Sequence, residues 1–292
     1  MSEQSQQREA EELLEHARTL PDDEALTAYA QVLRLAPNYA AAHYNVGLIH
    51  KYRLEWKESY AYNKSAVELR PDDNASNWNL AIAATALRDW QTVREIWHRL
   101  GFDIDPGEGP ISENFGLTPV RLNPDGSGEV VWARRICPVR ARIQNVPYPE
   151  SGFRFGDVVL HDGAPTGTRE SDGREYSVFN VLELFESSEL STYVAEVRVS
   201  SDDDIAELEG LLDSAKIHNE DWTESVRVLC RQCSEGRAHE QHDHDLKKER
   251  HERHVFGLAT KGESPEDIFL KWTNEKRRLI SLDLRLSPPV RH

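Results

Sequence analysis

A 34-residue period near the N-terminus constrains this chain more than any other feature. Residues 40–73 read AAAHYNVGLIHKYRLEWKESYAYNKSAVELRPDD, and the block from Asn74 to Leu100 restarts in the same register. Asn45 recurs as Asn79, Val46 as Leu80, Gly47 as Ala81 and Trp56 as Trp90. Upstream, Pro37 precedes Pro71 by the same interval, with Val32 and Leu33 matching Ala66 and Val67. The apolar residues fall at helical spacing, as Ala25, Tyr29, Val32 and Leu33 do at i, i+4, i+7 and i+8. Three helical pairs are therefore predicted. Leu13, Leu14 and Ala17 form the first stripe, and Pro21-Asp22-Asp23 turns the chain into the next helix. The middle pair carries Tyr44, Gly47 and Leu48, then Tyr60, Ala66, Val67 and Leu69. The third carries Trp78, Leu80 and Ala83, then Trp90, Val93, Ile96, Trp97 and Leu100, and stops at Gly101. A mid-helix glycine such as Gly47 costs about 1 kcal/mol relative to alanine, which a close helix contact would offset.

A helical pair repeating at 34 residues, with small residues where helices touch and proline where a repeat ends, resembles the tetratricopeptide repeat (TPR) family. The resemblance covers the N-terminal third only. It implies stacked hairpins with a concave surface that binds another protein. Some members grip a C-terminal carboxylate with a clamp of Lys, Asn and Arg. Asn45 matches the clamp's Asn, but Asn79 stands where a basic residue is required, so that activity is not carried over. The expected partner-binding face is built from His43, Tyr44, Asn45, Lys51 and Asn79.

At 292 residues the chain has room for two or three domains. Its net charge of −16 argues against a dedicated nucleic-acid or membrane-surface protein, both of which need basic footprints, and suits either solubility alone or a basic partner. No stretch approaches the ~20 apolar residues that span a bilayer. The polar, acidic start MSEQSQQREAEELLEHA is the opposite of a signal peptide. With few cysteines and two of them only three apart, a disulfide framework is not expected, and a reducing cytoplasm is.

After Leu100 the segment GFDIDPGEGPISENFG cannot continue a helix and marks a boundary. Strand signals follow: Thr118 to Leu122, a Pro-Asp-Gly-Ser-Gly turn at 124–128, Glu129 to Ile143 with Pro138 as a bulge or edge, Phe153 to Leu160, and Glu175 to Leu184. They predict a small barrel of SH3-like type. Six arginines, Arg121, Arg134, Arg135, Arg140, Arg142 and Arg154, face only Asp125, Glu129 and Glu150 in this stretch. That basic island suits an acidic partner or a phosphate, or a solvated sheet face paired with acids elsewhere. Asp157, His161 and Asp162 have acid–base side chains, but a turn after a strand accounts for them.

The last third alternates as Tyr193–Val199 (strand), an acidic helix start at Ser200–Asp204 with Ile205, Leu208, Leu211 and Leu212, and strands at Ser225–Cys230 and Val255–Thr260. A Ser-Pro-Glu-Asp helix start at 264–267 follows, then a strand through Ile280, Leu282, Leu284 and Leu286. The order β-α-β-β-α-β is that of a ferredoxin-like domain. The expected division is thus 1–105 helical repeat, 106–190 β-rich module and 191–292 α+β domain with a Cys/His-rich insertion.

That insertion, CRQCSEGRAHEQHDHDLKKERHERH, is the one constellation with chemistry. Cys230 and Cys233 form a CxxC knuckle, and zinc, which takes four Cys or His ligands in a tetrahedron, would be completed by two of His239, His242 and His244. His251 and His254 are the competing pair. A core cysteine beside a solvated loop accounts for the same residues. The chain lacks GxGxxG, a P-loop, GxSxG and HExxH. The expectation is a non-enzymatic interaction protein, with an immunity protein that occludes a toxin enzyme and a zinc-dependent enzyme as alternatives.

Overall fold

The computed structural model describes residues 3–126, 128–223, 252–262 and 264–288. The chain divides into two compact units, Met1–Glu113 and Asn114–His292.

The first unit contains six helices, α1 (Glu3–Ala17), α2 (Asp22–Leu35), α3 (Ala40–Tyr52), α4 (Trp56–Leu69), α5 (Asn74–Ala86) and α6 (Trp90–Arg99). They pack as successive hairpins, α1 on α2, α3 on α4 and α5 on α6, with α3 also touching α5. Leu14, Tyr29, Val32 and Val46 are among the buried residues of the N-terminal core. Gly47 explains itself at the α3–α4 crossing: a Cβ there would lie 2.5 Å from Asn63 Nδ2, and the Ser59 hydroxyl donates to the Gly47 carbonyl at 2.9 Å. No larger residue leaves room for that bond.

The period visible in the sequence is also a period of contacts. α3 and α5 end in the same Schellman motif. Glu55 N–H donates to His50 O and Leu54 N–H to Lys51 O, while 34 residues on Asp89 N–H donates to Ala84 O and Arg88 N–H to Thr85 O. Leu54 and Arg88 accordingly take the left-handed conformation, φ 59° and 60°. Likewise His43 Nε2 bonds the Pro37 carbonyl at 2.8 Å, and its counterpart Asn77 bonds the Pro71 carbonyl at 2.8 Å.

The second unit begins with a closed barrel of five strands, β1 (Leu117–Arg121), β2 (Val130–Arg135), β3 (Arg140–Ile143), β4 (Val158–Ser171) and β5 (Arg174–Glu186). Neighbours are antiparallel, and β1 closes on β5 in parallel. The run Glu129–Ile143, expected as one strand, is a hairpin. It is broken at residues 136–139, where Cys137 Sγ accepts from the Arg140 backbone N–H at 3.2 Å and Pro138 sits in the turn. Strand β4 continues through His161 and Asp162 to Ser171, correcting the turn expected there. It does so through irregular register between Val158 and Gly167, where Gly163, Pro165 and Gly167 interrupt regular pairing. Asp172 and Gly173, both at positive φ, then close a two-residue hairpin.

A second sheet has order β7-β8-β6-β9, every pair antiparallel: β6 (Ser191–Arg198), β7 (His218–Asp221), β8 (Arg253–Thr260) and β9 (Arg278–Leu286). Helices α7 (Asp202–Ser214) and α8 (Glu266–Trp272) make it two interlocked β-α-β units. Alternate residues face opposite ways. Tyr193, Ala195, Val197, Phe256 and Leu258 pack with Leu208, Leu212, Phe269 and Trp272 of the helices. Val194, Val255 and Ala259 on the other face pack with Trp222 and with Val146, Tyr148 and Phe155 of the barrel's connecting segment. The barrel and this sheet therefore share a core. Trp222 lies flat against Gly257, where a Cβ would stand 2.0 Å from the indole, and its Nε1–H donates to the Val146 carbonyl at 3.2 Å. The strand expected at Ser225–Cys230 lies outside the described residues, and the place beside β8 is held by His218–Asp221.

Candidate interaction surface

The middle of α1 and the starts of α3 and α5 line a groove. Its larger part, ≈ 1030 Å³, runs between Gln7 and Glu11 of α1, the α2–α3 turn at Pro37 to Ala40, and Leu69 and Arg70 at the end of α4. A smaller hollow of ≈ 160 Å³ continues it past Ala41, Tyr44, Asp73, Ala75 and Ser76, sharing Ala40 and Arg70. Small residues at positions 40, 41 and 75 leave the space, and the hairpin turns supply the walls.

The charges in this groove are unequally committed. Asp73 caps α5, accepting from Ser76 N–H at 2.8 Å and from Ser76 Oγ at 2.5 Å. Glu11 accepts from Gln7, and Arg8 is paired with Glu12 at 3.2 Å. Arg70, an exposed residue touching both parts of the groove, has no side-chain hydrogen bond or ion pair among the described residues. α3 and α5 begin here too, so their unpaired amide N–H groups add positive potential.

Of the five side chains expected on the binding face, Tyr44 lines this groove. His43 is spent on the Pro37 carbonyl. Asn45 stands beside Tyr29, whose phenol burial pushes up. Lys51 and Asn79 are buried, 2% and 5% exposed, and bond each other across α3 and α5 at 3.1 Å, with the Lys51 ammonium 4.4 Å over the Tyr52 ring. Their pairing was invisible to a reading that assigns polar residues to the surface. The useful signal was their spacing, since 28 residues join one end of an inner helix to the middle of the next.

The expected basic island does not form one surface. Arg140 is buried, with its Nε on Cys137 Sγ at 3.4 Å and its guanidinium 5.1 Å over Phe185. Arg135 donates to the Phe115 carbonyl and Arg154 to the Ser287 carbonyl, and burial pushes the Arg135 guanidinium down. Arg134 and Arg142 are exposed and face each other across β2 and β3.

His161 and Asp157 are fully buried. Burial, with Arg135 nearby, lowers the His161 imidazole to about 4, and its Nδ1–H donates to the Asp162 carbonyl at 2.8 Å. Asp157 accepts from Arg154 N–H and Ser188 N–H, tying two loops together. Neither group reaches solvent, so neither can exchange a proton with a bound substrate.

Cys230, Cys233, His239, His242, His244 and His251 lie outside the described residues. His254 is described, and its Nδ1 bonds Asp221 at 2.5 Å. Among the described residues no group of three or more His, Cys, Asp or Glu is placed to hold a metal ion, and no helix is long and apolar enough to cross a membrane. No protein-family model and no curated protein matches this chain by sequence.

Proposed function

We propose that this chain is a non-enzymatic interaction protein whose N-terminal unit is a TPR-type stack that grips a short segment of another protein. The finer reading of the second unit is an SH3-like barrel joined to a ferredoxin-like domain, which hold or orient a further element of the assembly. Such folds carry no activity by themselves, so the assignment rests on the groove. One observation supports it above the rest: the groove runs from Gln6 and Glu11 of α1 across the first turns of α3 and α5, and Arg70 is its uncommitted charge. In a chain at −16 this favours a segment bearing a carboxylate at this site, not a basic partner.

The test is quantitative affinity purification from the native host, comparing wild type with Arg70→Glu and Tyr44→Ala. A protein retained by wild type and lost by both variants would support the groove, and titration calorimetry with its acidic segments would then locate the contact. A set of co-purifying proteins unchanged by both substitutions would refute the groove as the interface.

A further inference from the structure

One end of the second sheet carries a row of like charges. Arg198, the last residue of β6, lies directly opposite Arg253 of β8 on one side and Arg278 of β9 on the other. Three neighbouring strands thus present arginine at the same level. Residues opposite one another on antiparallel strands share a face, and here it is the face away from the helices. Val197 and Val199 pack with Leu208, Leu212, Phe269 and Trp272, so Arg198 between them points the other way. The register of β9 shifts between Glu196 and Val197, with Ile280 as the extra residue. Leu279 nevertheless stays opposite Val197 against the helix core, and Arg278 stays opposite Arg198.

This row is under-compensated. Glu196 lies one pair further along the same face, opposite Val255 and Ser281, and its carboxylate accepts from Arg253 at 3.2 Å. That is one carboxylate against three guanidiniums. The Arg198 and Arg278 side chains have no hydrogen bond or ion pair among the described residues. Arg278 is exposed, whereas Arg198 is half-buried and its Nε is shut off from solvent without an acceptor. Like charges directly opposite destabilise a sheet, and a desolvated donor left without a partner costs about 1–3 kcal/mol. An anion with several acceptor oxygens, set over Arg198, would relieve both.

The chemistry narrows the anion. Guanidinium forks match the oxygens of phosphoryl groups in bidentate pairs. With strands about 4.8 Å apart the row is about 10 Å long at the backbone, so one phosphoryl group meets Arg198 and one neighbour, while linked groups reach all three. The net charge of −16 repels an extended polyanion such as nucleic acid over its whole length, and a short one far less. We propose that Arg198, Arg253 and Arg278 form a binding site for a short polyphosphate chain, free or carried by a nucleotide. This goes beyond the partner groove of the first unit and uses none of its residues.

The test is titration calorimetry on the full chain at about 0.15 M ionic strength, with tripolyphosphate and magnesium-free ATP as probes. Wild type should bind tripolyphosphate with a dissociation constant below about 1 mM. Arg278→Glu and Arg198→Gln should each weaken binding by about tenfold or more. Arg174→Glu makes the same charge change as Arg278→Glu at an exposed position of the β4–β5 hairpin, and should bind like wild type. ATP binding tighter than tripolyphosphate would uphold the site with a nucleotide as its source, and equal binding would uphold it for the phosphate chain alone. If circular dichroism shows that Arg198→Gln does not fold, Arg278→Glu and Arg253→Gln decide. Wild type that binds no tripolyphosphate at about 1 mM, or equal losses in Arg278→Glu and Arg174→Glu, would overturn the proposal. Binding of a single-stranded oligonucleotide without binding of tripolyphosphate would overturn it too, in favour of an extended nucleic-acid backbone.

Discussion

His161 makes the barrel acid-sensitive in a window that can be calculated. Its ring has no exposure, and its one bond, from Nδ1–H to the Asp162 carbonyl, suits the neutral form. The other nitrogen, Nε2, has no hydrogen-bond partner in the described structure. Protonation would place an unsatisfied N–H in the core near Arg135. Burial, more than that guanidinium, lowers the folded value to about 4, against an unfolded value near 6.5. As pH falls below 6.5 the unfolded chain takes up the proton first, and the folded protein resists until about 4. Stability is thus complete above pH 6.5 and is lost on the way down to 4, by about 2 kcal/mol at pH 5 and about 3 kcal/mol at pH 4. Asp204 does not blur this window. Burial pushes it up, but hydrogen bonds from Ser200, Arg277 and Ser201 hold it at about 2. The assay is urea denaturation of wild type and His161→Phe between pH 7.5 and 5, the phenyl ring keeping an aromatic neighbour for Phe179, whose ring lies 5.1 Å away. Groups common to both proteins cancel in the difference. Wild type should lose about 2 kcal/mol more than the variant between these limits. Parallel pH dependences, agreeing within about 0.5 kcal/mol, would show that this ring is not the acid-labile element.

Two further predictions follow from the turns and the cysteines. Leu54→Gly and Arg88→Gly each relieve a left-handed side chain in a Schellman turn; after the entropy glycine adds to the unfolded chain, each should raise stability by about 0.5–1 kcal/mol, measured by thermal unfolding, and lower melting points would contradict the conformational argument. Protein purified without a His tag should carry about one zinc per chain, lost in Cys230→Ser/Cys233→Ser, with affinity weakening as pH falls because both thiols must deprotonate; metal-free protein indifferent to chelators would reduce the cluster to a cysteine pair and a polar segment.

The helical third was legible because its period records contacts that recur in space. Six helices, the Gly47 approach and the break after Leu100 all follow from spacing. The barrel was harder. Val130 to Ile143 looks like one alternating strand because the turn at 136–139 contains Ile136, Cys137 and Val139, apolar residues that sequence patterns assign to strand. The Asp172-Gly173 hairpin was readable in principle, since that dipeptide suits two positive φ values. Strand β7, His-Asn-Glu-Asp, was not. It lacks any apolar alternation and exists because β8 offers it a backbone edge and because Glu220 binds Asn145 and Val146 N–H of the barrel segment. At the candidate groove, Tyr44 was named from its helical position and lines the smaller hollow. Arg70 was missed because it follows α4 and becomes relevant only when the turns converge.

The placement of β6 has a consequence for synthesis. Each helix of the first unit finds its hairpin partner within the next stretch of chain, so that unit can form as it emerges. Strand β6, with Tyr193, Val194, Ala195 and Val197, lies between β8 and β9, whose residues begin at Arg253 and end at Leu286. Both neighbours are translated roughly 55 to 90 residues after it, which at ~5–20 residues per second leaves the sheet's central strand unpaired for about 3–18 s. During that interval β6, with its buried Tyr193, Ala195 and Val197, has two open edges. The slower the last third is translated, the longer β6 stays without its partner strands.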